Sequence, residues 1–99
     1  MQNTHIQELR SKAKAERAEI SKLSHKLSDA ELKQLLDRAT SWLDDVEGFL
    51  LPQAAKALPA HELMWLSHAE ATLTLAIQRR KFVRQLAATH SPDQSTVGV

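Results

Sequence analysis

Ninety-nine residues supply one domain, and a domain this short hides only about two thirds of the surface of its unfolded chain, so its core must be thin. Two Gly, three Pro, two Phe, two Trp and no Tyr leave too few turn residues for a sandwich or barrel and draw the apolar mass from Leu, Ala, Ile and Val, which suits helix packing. With no cysteine the fold has neither disulfides nor thiolate metal sites, and the net charge of +1 conceals a sorting along the chain.

Residues 1–27 carry six Lys/Arg against three acids, 28–58 three against six, and 59–99 four against three. An acidic middle between basic ends either pairs within a bundle or leaves a basic surface for a partner. The opening Met1-Gln2-Asn3-Thr4-His5 lacks a basic region followed by an apolar run, and no stretch approaches the roughly 18 apolar residues of a membrane span. The expectation is a soluble, cytoplasmic protein without a membrane partner.

In the first segment Ile6, Leu9, Ala13, Ile20, Leu23 and Leu27 recur at spacings of three and four, a narrow seam of the coiled-coil kind with Glu16 at its central position. So narrow a stripe is marginal as an isolated helix and needs a partner, in the same chain or another. Ser28-Asp29-Ala30-Glu31 then reads as a capping box with Ser28 as the cap. From Leu32 through Leu35, Leu36, Ala39, Trp42, Leu43, Val46, Phe49 and Leu50 the apolar face is broad enough to touch two neighbours. Gly48 and Pro52 predict a stop or kink near residue 51, with room for one further turn over 53–58 that has Pro52 as its first residue.

Pro59 suits the first position of a third helix, and Glu62 complements its positive end. Leu63, Leu66, Ala69, Leu73, Ala76, Ile77, Val83, Leu86 and Ala87 follow in helical register, while Met64, Leu75 and Phe82 point well away from Leu66 and Leu73. Apolar around more than half its circumference, this helix is either the centre of a bundle or meets another chain. The sequence therefore predicts an all-α fold: a small three-helix bundle built on a long antiparallel hairpin, with a coiled-coil-like first helix. Its helices lie over about 3–26, 29–51 and 59–89 of a single domain at 1–90, and 91–99, which loses the periodicity, is expected to be a flexible tail.

No constellation points to catalysis. His61 and His68 are seven apart, too far to share one metal on a helix, and neither a nucleophile elbow nor a glycine-rich phosphate loop occurs. Asp44 and Glu47 form one acidic pair with no imidazole to complete it. The chain is accordingly expected to be no enzyme and to carry no cofactor or metal. The sharpest charge feature is Arg79-Arg80-Lys81-Phe82-Val83-Arg84, where Arg80, Lys81 and Arg84 can face an anionic partner or pair with the acidic second helix at Asp44, Asp45 or Glu47. Trp65, at the edge of the apolar arc, is a candidate anchor. The candidate partner-binding residues are thus Met64, Trp65, Arg80, Lys81, Phe82 and Arg84. They suit an interaction protein of adaptor, co-chaperone or inhibitor type that binds another protein or itself, with a homodimer expected. The alternative is a small nucleic-acid-binding regulator that uses Arg10, Lys14 and Arg17 with the basic residues of the third helix.

Overall fold

The computed structural model describes residues 2–89, with side chains from residue 4, so the expected tail at 91–99 lies outside the described residues. Helix α1 spans Gln2–Lys26, α2 Ala30–Asp45, a π-turn Val46–Leu50, α3 Leu51–Lys56 and α4 Pro59–Thr89. Among the described residues there is no strand, and only 27–29, 57 and 58 lie outside helices. Since α2, the π-turn and α3 run on as one rod, the architecture is a three-helix bundle. No described helix is long and apolar enough to cross a membrane.

The long first helix is held within the chain. Ile6, Leu9, Ala13 and Ile20 are buried, and Leu23 and Leu27 pack against the same core. Ala13, which narrows the stripe, is fully covered, as are Ala39 of α2 and Ala69 and Ala76 of α4. Small side chains at these levels let helix axes approach closely, so a stripe poor in area is still covered. Contacts between His5 and Glu70 and between Glu16 and Arg80 set α1 parallel to α4, with α2 antiparallel to both.

One local expectation is corrected and another is made specific. The cap of α2 is Asp29, not Ser28: its carboxylate accepts from the amides of Glu31 at 2.8 Å and Leu32 at 3.3 Å. A charged acceptor also complements the positive helix end, which a Ser hydroxyl does not. Near residue 51, where a stop or kink with a further turn beyond it is expected, the structure has a π-turn that leads into the short helix α3. The wider π-turn, closed by the Leu51 amide donating to the Val46 carbonyl, brings Pro52 to the first turn of α3, where its missing N–H costs little. The extra residue shifts the helical phase so that Leu51, five residues after Val46, is buried with it, while Phe49 is 51 % exposed; Ala54 is buried one turn further on. The rod ends where Ala57 becomes extended and the Leu58 carbonyl accepts from the amides of His61 and Glu62.

Candidate interaction surface

Two consecutive residues of α1 tie the three rods together. Glu16 is buried and its carboxylate accepts a hydrogen bond from Arg80 Nε of α4, a side chain only 14 % exposed. Next to it, Arg17 Nη2 donates to Glu47 Oε1 at 2.5 Å and to Asp44 Oδ1 at 2.9 Å. The hydrogen bond to Glu16 raises the Arg80 guanidinium above its ordinary value, against the opposing effect of burial, and Glu47 does the same for Arg17. Both cations are therefore held charged and matched by carboxylates, Arg80 inside the bundle and Arg17 at its partly exposed edge. The acidic second rod does receive a basic partner, as the charge sorting allows, but that partner is Arg17; Arg80 reaches the first helix instead.

The six candidate contact residues fall into separate places. Met64 and Phe82 share the outer face of α4, 56 % and 50 % exposed, and between them stands Leu75 at 49 %. Trp65 is half-buried around the side, its ring 5.7 Å from that of Phe49 in an edge-to-face arrangement at 86°. Together with Met64, Leu58 and His61 it borders an open groove of about 330 Å³ at the hairpin end. Lys81 and Arg84 are exposed. Arg84 lines a second open groove, of about 370 Å³, between the C-terminal halves of α1 and α4; its floor includes Leu23, Leu27 and Ala87, and Lys22 and Lys26 stand at its rim. Arg80 faces inward to Glu16 from the same region.

Periodicity sets Met64, Leu75 and Phe82 apart from Leu66 and Leu73, and Leu75, which is not among the candidate contacts, is as exposed as the other two. Phe49, counted on the apolar face of the second helix, is instead 51 % exposed beside the π-turn, where Gly48 and Pro52 signal only a stop or kink. Arg79 was also missed as a structural residue: its guanidinium lies 5.0 Å from the centroid of Trp42, covering an indole at the edge of the core. His61 and His68 are both exposed, and among the described residues no three His, Asp or Glu side chains gather as a metal site.

These features define a three-helix bundle with a completed inner core and an apolar outer row on its longest helix. Comparison with protein-family models, curated proteins and solved structures finds no match for the chain.

Proposed function

We propose that this chain is a small non-enzymatic interaction protein that acts by binding another protein or a second copy of itself. The observation that carries the reading is the outer row of α4. Met64, Leu75 and Phe82 each stay about half exposed although the inner face of the same helix is fully packed. Isolated apolar side chains on a surface need no explanation, whereas an aligned row on one helix is the form in which helices recognise other helices. Adaptor, co-chaperone and inhibitor roles all fit such a surface.

A photo-crosslinking residue in place of Phe82, used in cells of the natural source, tests this reading. A discrete adduct, either with the same chain or with another protein, is the expected result, and Leu75→Lys should abolish it. Absence of any adduct at Phe82 under conditions where the chain is folded overturns the proposal.

A second reading has one observation in its favour: Lys22, Lys26 and Arg84 line the groove between α1 and α4, although Glu19, 3.7 Å from Lys22, lines it too. Contacts to nucleic-acid phosphates there would show as an affinity that falls steeply with salt. The reading is weakened by the engagement of Arg17 and Arg80 with carboxylates, which takes two of its supposed phosphate contacts out of play.

A further inference from the structure

The outer row of α4 is longer than its three large members. Met64, His68, Ala71, Leu75, Gln78 and Phe82 are all exposed and follow one another at intervals of four, three, four, three and four. That is a heptad seam, and over eighteen residues it runs about 27 Å along the helix. Resting on the reading of this face as a binding surface, we infer that its partner is a second copy of the chain, with the two α4 helices antiparallel about a twofold axis level with residue 73.

The choice of partner and direction follows from what such an axis brings together. Leu75 meets Ala71 of the second copy, so a large side chain fills the space above a small one. Phe82 meets Met64, a flexible thioether against an aromatic ring. His68 meets Gln78, and the two can hydrogen-bond. At the flanks, Lys81 stands opposite Ser67, Arg79 opposite Trp65, and Thr74 opposite its own copy. No like charges face one another: exposed Lys81 meets a neutral group, and Arg79 is already held over Trp42 of its own chain. A parallel pair in the same register does the reverse, stacking Ala71 on Ala71 with a void, His68 on His68 and Phe82 on Phe82. It also aligns the two helix dipoles, which the antiparallel pair opposes. The seam thus fits itself in one direction only.

One helix pair of this length covers less than the roughly 1,200 Å² typical of stable complexes, so the dimer should be weak and dependent on concentration. Sedimentation of the full chain between about 10 µM and 1 mM should show the mass rising from monomer to dimer, with dissociation on the order of 100 µM. Leu75→Lys should leave the helical circular dichroism intact and weaken association at least about tenfold, by placing a charge beside the axis. Because the chain has no cysteine, Gln85→Cys and Ala88→Cys provide single spin-label sites. In the antiparallel dimer the labels should lie about 36 and 45 Å apart, moving outward with position at 1.5 Å per residue per copy. In a parallel dimer both distances would be short and alike.

A monomer at 1 mM, a dimer unaffected by Leu75→Lys, or two short label distances each overturns the inference. The wider reading fails separately. If the chain is monomeric yet Phe82 still crosslinks to a different protein in a Leu75-dependent way, the surface is a binding site whose partner is not a second copy. If Phe82 crosslinks to nothing and the purified chain also stays monomeric at 1 mM, both readings fall.

Discussion

The two faces of α4 are built from similar side chains and have different fates. On the inner face Leu66, Ala69, Leu73, Ala76 and Val83 are buried against α1 and the middle rod, with Arg80 among them neutralised by Glu16. On the outer face Met64, Leu75 and Phe82 remain about half in solvent. Hydrophobicity alone does not separate core from interface. Coverage by other helices does, and the position of the buried ion pair marks which face is covered.

The sharpest way to break this comparison is to truncate side chains on each side of it. Leu43→Ala, at a fully buried position facing the inner core, should lower unfolding stability by about 3 kcal/mol or more, because a cavity adds to the lost transfer energy. Leu75→Ala on the outer face should change the stability of the monomer by less than about 0.5 kcal/mol. Chemical denaturation of both variants at low concentration checks the contrast. Equal losses would mean that the outer face is a second core.

Next in size is the ion pair. Arg80→Ala leaves the buried Glu16 carboxylate without its cation and should cost about 3 kcal/mol, whereas replacing both residues by Leu should recover most of that loss. A double-mutant cycle measures the coupling directly. Lys81→Ala, at an exposed position, should leave the melting temperature unchanged and separate the structural cation from its neighbour. If Arg80→Ala is as mild as Lys81→Ala, the pair does not fix α1 to α4.

Two smaller effects concern the middle rod. Asp29→Ala removes acceptors from the first amides of α2 and should cost about 1 kcal/mol. Gly48→Ala should instead stabilise the fold by about 0.5–1 kcal/mol, since Gly48 is exposed, helical and has nothing within 4 Å of where a Cβ would stand. A loss at Gly48 would show that the π-turn itself requires the glycine.

The sequence by itself determined the helical class, the positions of the three long elements within a few residues, and nearly all of the inner core. These are consequences of local periodicity, which repeats along the chain and can be read without knowing what lies opposite. It also marked Glu16 as the polar centre of an apolar seam and set Met64, Leu75 and Phe82 apart from Leu66 and Leu73. Only the tertiary structure decided that Glu16 and Arg80 belong to each other, because a pairing across 64 residues depends on the parallel alignment of α1 and α4. The same holds for the passage through Pro52. A proline signals that a regular helix cannot continue, but whether the chain turns away or absorbs the ring in a π-turn depends on what packing gains, and here it gains Leu51 for the core. Which apolar face of α4 is covered was likewise beyond any local pattern, since it is settled by the placement of the other two rods.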